Sequence, residues 1–322
     1  MKTTCIVCGD NASPSYRGIF DDRFGHPGLY TAYGCSTCRS YSIEPRLKPD
    51  EIIPLYTDYY PRRNIDAGVV KARAASFKPA AVNGYVAGEH HAQRLLPKAA
   101  EPGLRVLDIG CGDGSSLLEL KALGYEAYGV ETDANVARVR DALGLNIHIG
   151  MVENARLPAH SFQHIIANQV IEHVVDIDSF IASMRELLAP GGTVIVSTPN
   201  ARSFFRALYG RRWMHWHVPY HQQIWSARGL SIALERNGLK LDRVQTMNPP
   251  SWTMHELNRL RFKAEPGKKN PFWTDPSSIS SGLIGKIARR TASIALQAIG
   301  RVASLCGHGN CLIIWAKAVP DA

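Results

Sequence analysis

Between residues 105 and 199 short, almost continuously apolar runs take turns with longer amphipathic stretches. RVLDIG is followed by SSLLELKALG, EAYGVE by DANVARVRDALG, NIHIG and FQHIIANQV by DIDSFIASMRELLAPGG, and TVIVSTP by a long connection. A strand that is apolar without alternation is buried on both faces, and amphipathic helices supply the covering layers. The pattern predicts an α/β fold, a doubly wound, Rossmann-like parallel sheet. Ligands of such sheets lie at the carboxyl ends of the strands, near the switch point.

On either side the pattern changes. Residues 46–100 are expected to form a helical linker or cap, with the tyrosine-rich IIPLYTDYYPRR and a helical period that Pro97 stops. Tyr56, Tyr59 and Tyr60 either line a substrate cleft or pack two subdomains together. Residues 101–247 make the core, 248–309 a basic helical insertion, and 310–322 the last core strand, CLIIWAKAV, with a tail. Within the insertion Leu283, Ile284, Ile287, Ile294, Val302 and Leu305 share one helical arc, interrupted by Arg301, while Lys286, Arg289, Arg290 and Gln297 fall opposite. Residues 279–305 therefore read as a basic amphipathic helix that lies on an anionic membrane surface, packs on the core, or pairs with a partner.

Composition adds a direction. The net charge of +9 is uneven: residues 1–200 carry 19 Lys/Arg against 22 Asp/Glu, and residues 201–322 carry 18 against 6. The basic third points to a phosphorylated substrate, lipid headgroups or nucleic acid, or is a solvated face. The opening MKTTCIVCGD lacks an apolar leader, and no run reaches the roughly 18–20 apolar residues of a membrane span. The expected location is cytoplasmic, with membrane association at the inner face as the second reading.

Cys5, Cys8, Cys35 and Cys38 form two CxxC pairs. Two such turns complete a closed tetrahedral thiolate shell that leaves no position for water, so the expected ion is a structural Zn2+ in a ribbon of residues 1–45. So short a segment buries little apolar surface, and the metal supplies the missing stability. A redox CxxC is the other reading, for which one pair suffices.

The chemistry centres on VLDIGCGDG, where a strand runs into Gly110, Gly112 and Gly114 before a helix. Glycines let a ligand approach the backbone, and the helix start offers free N–H groups, so this order describes a nucleotide site. Glu131 ends the next strand, placed to accept both hydroxyls of a ribose. The spacing is not the dinucleotide G-x-G-x-x-G, and Asp108, two residues before the first glycine, would repel a pyrophosphate. A carboxylate there suits a cation, and the sulfonium and amino groups of S-adenosylmethionine fit.

These residues resemble the class I S-adenosylmethionine-dependent methyltransferases, especially the group of the ubiquinone-pathway O-methyltransferases. The resemblance runs from about Arg94 to Ser226 and resumes at CLIIWAKAV. VLDIGCGDG is similar to motif I and GVETD to the second motif, with Glu131 on the ribose. ENARLPAHSFQHII resembles the element that sets Glu153 at the adenine amino group, and VIEHVVD and LLAPGGTVIVSTPN match the segments around strands four and five. Gln163 departs from the family's Asp and is given no role. The resemblance implies a seven-stranded sheet with an antiparallel last strand, and a cofactor site of Asp108, Gly110, Gly112, Gly114, Glu131 and Glu153. Strands six and seven are normally joined by a hairpin, so the intervening residues count as a functional insertion.

On the acceptor side His173 is a base, a substrate contact or a hydrogen bond that fixes its loop. RRWMHWHVPYHQQIWSARGL gathers His215, His217 and His221 among aromatics, and its end resembles the family's H-x-x-x-F/W-S-x-x-x-L, whose histidine floors the acceptor pocket. His217 or His221 is the expected base, with core aromatics and a capping histidine as the other reading. The cleft is expected between His173, Trp216 and His221. The resemblance implies O-methylation of a sugar or another anionic, phosphorylated small molecule or glycan, as in polysaccharide biosynthesis. Sugar C-methylation, a nucleic-acid-binding zinc-ribbon protein and an inactive cofactor-binding scaffold are the alternatives. The acidic balance of residues 1–200 argues against nucleic acid.

Overall fold

The computed structural model describes residues 3–60, 65–77, 96, 98–99, 101–274 and 283–319. Its first elements are four antiparallel strands, β1 (Thr3–Thr4), β2 (Asn11–Ile19), β3 (Tyr30–Cys35) and β4 (Tyr41–Glu44), and two helices, α1 (Pro49–Pro54) and α2 (Ala67–Ala75). The helical period that Pro97 was expected to stop lies mostly outside the described residues.

The core then alternates as the apolar pattern predicts. β5 (Arg105–Ile109), α3 (Ser115–Ala122), β6 (Glu126–Glu131), α4 (Ala137–Leu143), β7 (Asn146–Ile149), β8 (Phe162–Asn168), α5 (Ile177–Leu187) and β9 (Leu188–Pro199) follow in order. After β9 come α6 (Phe204–Tyr209), a two-residue strand β10 (Gln223–Ile224), α7 (Ala227–Arg236) and β11 (Leu239–Met247). The insertion holds α8 (Pro250–Arg259), α9 (Pro271–Thr274) and α10 (Leu283–Leu305), and β12 (Cys311–Ala318) closes the chain. The seven-stranded sheet runs β11-β12-β9-β8-β5-β6-β7, with β12 antiparallel to both neighbours. The long helix read from the insertion is present as α10.

Both faces of the sheet are covered. Leu107, Ile109, Ile165, Val194, Val196 and Ile314 pack with Phe180 and Ile181 of α5 and Leu230 and Leu234 of α7. The alternate residues Val106, Ile166, Ile195 and Ile313 pack with Leu117 and Leu120 of α3. This alternation is the period of two that a strand imposes. One boundary differs from the sequence reading: LAPGG belongs to β9, not to the end of α5. Leu188 pairs with Phe162, and pairing resumes at Thr193 with His164, so the segment between bulges. Gly191, at φ +73, permits that bend.

β10 joins the N-terminal sheet, whose order is β1-β2-β3-β4-β10. Ser226 N donates to Ser40 Oγ at 3.0 Å, Ser226 Oγ donates to the Cys38 carbonyl, and Arg236 donates to the Val7 carbonyl at 3.0 Å. Val7, Ala12 and Cys35 share one apolar cluster with Leu230 and Leu234. Among the described residues no helix is long and apolar enough to cross a membrane.

Candidate active site

β5 carries Asp108 and ends in the glycine turn. Gly110 and Cys111 both donate to the Val130 carbonyl, at 2.8 and 3.1 Å, which ties the turn to β6. Gly110, Gly112 and Gly114 have φ of +74, +59 and +80°. A Cβ on Gly110 would lie 2.5 Å from Val170, whereas one on Gly112 would meet nothing within 4 Å. Gly112 thus leaves bare backbone beside open space, and Glu131 accepts from its N–H at 2.8 Å. The other Glu131 oxygen accepts from Thr132 N and Asp133 N at 2.7 and 2.9 Å.

Asp108 is buried, and burial pushes its carboxyl up to about 7, with the charges of Glu131 and Glu119 adding to the rise. A cation would relieve that burial penalty. Glu153, in the turn Val152–Asn154, has a buried Oε2 with no hydrogen-bond partner, an acceptor that a ligand amino group could satisfy. Open backbone at a glycine, a buried carboxyl short of positive charge and an orphaned carboxylate oxygen fit S-adenosylmethionine.

Beyond the carboxyl end of β8 the histidines converge. Ring centroids of His173 and His221 are 4.6 Å apart, those of His217 and His221 5.0 Å, and those of His173 and His217 6.4 Å. The Glu172 carbonyl accepts from Gln222 N at 2.7 Å, which binds the 217–223 segment to the end of the strand. His173 Nδ1 faces the Tyr220 carbonyl at 3.0 Å and Tyr56 Oη at 3.1 Å, and His221 Nδ1 faces the His215 carbonyl at 2.8 Å. A ring nitrogen facing a carbonyl must carry the proton, so Nε2 of both rings is the lone-pair nitrogen. His217 stacks on Tyr220 at 4.6 Å, and its Nε2 is buried without a partner. Its backbone is left-handed, φ 36 and ψ 46, at a cost of ~1–2 kcal/mol for a residue with a Cβ. Burial pulls His173 down to about 4 and holds His217 and His221 well below the usual range. Near neutral pH all three are uncharged proton acceptors.

The N-terminal sheet supplies the charge beside them. Arg23, in the loop between β2 and β3, lowers the proton affinity of all three histidines. Its Nη2 donates to the Met214 carbonyl at 2.6 Å, and its guanidinium lies 4.3 Å from the Trp273 ring centre. Nε has no hydrogen-bond partner and stands 3.8 Å from Asp22, whose other oxygen pairs with Arg259 at 2.7 Å. The Asp21 carboxylate shapes the loop by accepting from the N–H groups of Arg23, Phe24 and His26 at 2.9, 3.1 and 2.8 Å. Phe24, Tyr60 and Tyr220 pack edge to face around the cluster.

Residues 85–244 match a family model described as a methyltransferase domain. The ubiquinone biosynthesis O-methyltransferase of Brucella anthropi is 30% identical over 175 residues, 49% of this chain and 71% of that protein. The chain belongs to the S-adenosylmethionine-dependent methyltransferases. The like-named enzyme of Mesorhizobium japonicum is 38% identical over 112 residues, 32% of this chain and 45% of its own length, so the chain spans less than half of that relative. An S-adenosylmethionine-dependent methyltransferase structure from Mesorhizobium loti aligns with a TM-score of 0.46 and 18% identity, over 73% of this chain and 99% of that one.

In this methyltransferase Cys5, Cys8, Cys35 and Cys38 lie before the matched region and come together. Cys5 and Cys38 sulfurs are 3.6 Å apart, Cys8 and Cys35 sulfurs 3.5 Å, and all four lie within 4.8 Å of one another. These spacings are too long for disulfides and near the edge of a tetrahedron with ~2.3 Å zinc–sulfur bonds, so the set fits zinc. Potential ligand atoms of Glu172, His173 and His221 also fall within 4.8 Å of one another.

One sequence expectation about the methyltransferase's cleft needs correction. Trp216 is not beside His173 and His221: its Nε1 donates to the Gly210 carbonyl at 2.8 Å, and its ring packs on Tyr16 and Tyr41. The left-handed turn at His217 separates the two directions. Arg211 and Arg212 also point away, donating to the Arg17 and Leu260 carbonyls at 3.5 and 3.4 Å. The cation at the cluster is Arg23, which the sequence reading missed. Its signal was DDRFGH, a charged and aromatic run between the two cysteine pairs. Tyr56 and Tyr60 pack against the cluster, and Tyr59 packs on His26, in keeping with the packing reading of the tyrosines. Gln163 accepts from Arg105 N at 2.7 Å, a strand-edge contact.

Proposed function

We propose that this methyltransferase methylates a hydroxyl oxygen of an anionic acceptor, a sugar or another phosphorylated small molecule or glycan used in polysaccharide assembly. The observation that carries the reading is the group of uncharged histidines, with Nε2 of His173 and His221 left as lone pairs, beside the partly buried Arg23. S-adenosylmethionine, when bound, supplies an electrophilic sulfonium methyl. Asp108, Glu131, Glu153 and the turn of Gly110, Gly112 and Gly114 hold it. Transfer to an oxygen asks mainly that the acceptor be held in position, so most of this chain's work would be orientation. An alcohol also needs its proton removed, and Nε2 of His217 or His221 takes it. His173, anchored through Nδ1 to Tyr220, contacts the substrate. Phe24, Tyr60 and Tyr220 give the acceptor ring an aromatic wall. Zinc on the four cysteines fixes the ribbon that presents Arg23, and the basic insertion brings the enzyme to the inner face of an anionic membrane.

The test is incubation with methyl-labelled S-adenosylmethionine and a panel of nucleotide sugars and sugar phosphates, with the product methyl located by NMR. An oxygen-bound methyl is expected. A carbon-bound methyl would replace the reading with sugar C-methylation.

A further inference from the structure

An amphipathic helix on a globular core ordinarily buries its large aliphatic side chains. Over its second half α10 packs only Leu296 of its large aliphatic side chains inward, against the cluster of Ile19, Phe205 and Trp213, and turns the others out. Ser293, Gly300, Ala303 and Ser304 face inward, and Gly300 sits so close to Asn248 that a Cβ would lie 2.4 Å from its amide nitrogen. Thr246 Oγ1 donates to the Ser304 carbonyl at 2.8 Å, which holds the helix against β11. Ile294, Ile299, Val302 and Leu305 face outward, 62, 43, 63 and 89% exposed. The apolar surface continues onto α6, where Phe204 and Leu208 are 39 and 53% exposed. Phe204 N donates to the His308 carbonyl at 2.9 Å, so the start of α6 meets the end of α10. Large apolar side chains gathered on one connected face mark an interaction surface, unlike single exposed ones.

Beside this ridge lies a groove of about 650 Å³ whose lining includes Arg39, Arg202, Arg206 and His308, with Ala303 of α10 at its edge. Among the described residues no Asp or Glu lines it. Arg206 is fixed, donating through Nε to the Ala201 carbonyl at 2.6 Å and through Nη1 to Tyr16 Oη at 2.7 Å. Arg39 and Arg202 are exposed at the rim. The groove shares no lining residue with the histidine cluster.

We propose that this face docks on an anionic phospholipid bilayer, with the α10 and α6 ridge at the acyl boundary and a lipid phosphate in the arginine groove. The proposal rests on the membrane part of the reading above and gives it a surface; it does not depend on the methyl acceptor. Charge complementarity chooses the occupant. A second copy meeting this face symmetrically would set the arginine groove against itself, and RNA has no use for the aliphatic ridge. An anionic bilayer satisfies both halves at once.

The test is co-sedimentation of the full-length, zinc-loaded protein with phosphatidylcholine vesicles and with vesicles in which a third of the lipid is phosphatidylglycerol. Binding to the anionic vesicles alone is expected. Leu305→Asp with Val302→Asp, which sets carboxylates at the acyl boundary, and separately Arg39→Glu with Arg202→Glu, which reverses the charge at the groove, should each lower it by about tenfold or more. Absence of binding, equal binding to both vesicles, or binding that neither pair of substitutions changes would overturn the proposal. So would a dimer in light scattering that Leu305→Asp dissolves, or RNA retention lost with the arginines and kept with Leu305→Asp. Calorimetry with S-adenosylmethionine should be unchanged in all these variants. Failed docking with cofactor binding intact thus separates this proposal from the methyl-transfer reading.

Discussion

His173 and His221 meet edge to face, 4.6 Å between ring centroids, and each turns its Nδ1 to a different main-chain carbonyl, that of Tyr220 and that of His215. The pair is therefore oriented by backbone, with both Nε2 atoms left for other partners. His221→Asn separates the two functions, because an amide keeps a donor near Nδ1 and removes the proposed base. The fold and cofactor affinity should be kept while kcat falls by about 10²–10⁴, the usual share of general base catalysis. A loss under about tenfold in kcat would transfer the role to His217. Since burial holds these rings below the ordinary histidine range, the acid limb of the pH–rate profile should lie below about 6.5.

Arg23 gives a prediction that a packing role would not. Arg23→Met should raise KM for an anionic acceptor by about tenfold or more, the worth of a charge-assisted hydrogen bond, with kcat less affected. A neutral acceptor of similar shape should be indifferent. Because the Arg23 charge depresses His173, His217 and His221, its removal should also move the acid limb of the profile upward. An unmoved limb together with an unchanged KM would return Arg23 to a purely structural place against Trp273.

The unequal legibility of the two halves of the site follows from where its residues come from. Asp108, Gly110, Gly112, Gly114 and Glu131 lie on one strand–turn–helix–strand unit, so local spacing places them together, and the sheet follows from continuous apolar runs. The proposed acceptor half draws on distant segments: Arg23 from the β2–β3 loop, Tyr56 after α1, His173 after β8, and His217 and His221 before β10. No period in the chain encodes that meeting. Trp216 and His217 show the limit most directly, since one left-handed residue sends adjacent side chains to different places. The outward aliphatic face of α10 was visible as an arc, but which side of the arc met the core was not.

In the proposed cofactor site Asp108 would link binding to pH. Its carboxyl, pushed up to about 7, must ionise to suit a sulfonium ligand. Affinity for S-adenosylmethionine should weaken as pH falls below about 7, approaching tenfold per unit. S-adenosylhomocysteine, without the sulfonium charge, should weaken less. Equal slopes for the two would detach Asp108 from the cation. Stability without ligand responds in the opposite sense. Asp108 and Glu172, raised by burial to about 7 and about 8, contribute stability that is full below their ordinary values of 3.8 and 4.5 and is lost as pH rises through the raised ones. His173, lowered from 6.5 to about 4, opposes them only between those two values. Above pH 6.5 the depressed histidines no longer oppose the carboxyls, so Asp108 and Glu172 favour a falling Tm between pH 6.5 and 8, and Glu172→Gln should make the Tm profile less steep there.

The pairing of β10 with β4 predicts that a metal held by the four cysteines would govern the proposed acceptor half and not the proposed cofactor half. Metal analysis should return about one zinc per chain, while a second equivalent would place an ion on Glu172, His173 and His221. Chelation, or Cys35→Ser, should loosen β3 and β4, and with them Gln223, Ile224 and the Ser226 contacts to Ser40 and Cys38. The 217–223 segment and the Arg23 loop would then lose their support together. Methyl transfer should fall steeply, proteolysis should begin within residues 1–45, and S-adenosylmethionine binding should persist, because the glycine turn is held by β6. Equal loss of cofactor binding would show instead that zinc supports the whole fold, through the cluster that Val7 and Cys35 share with Leu230 and Leu234.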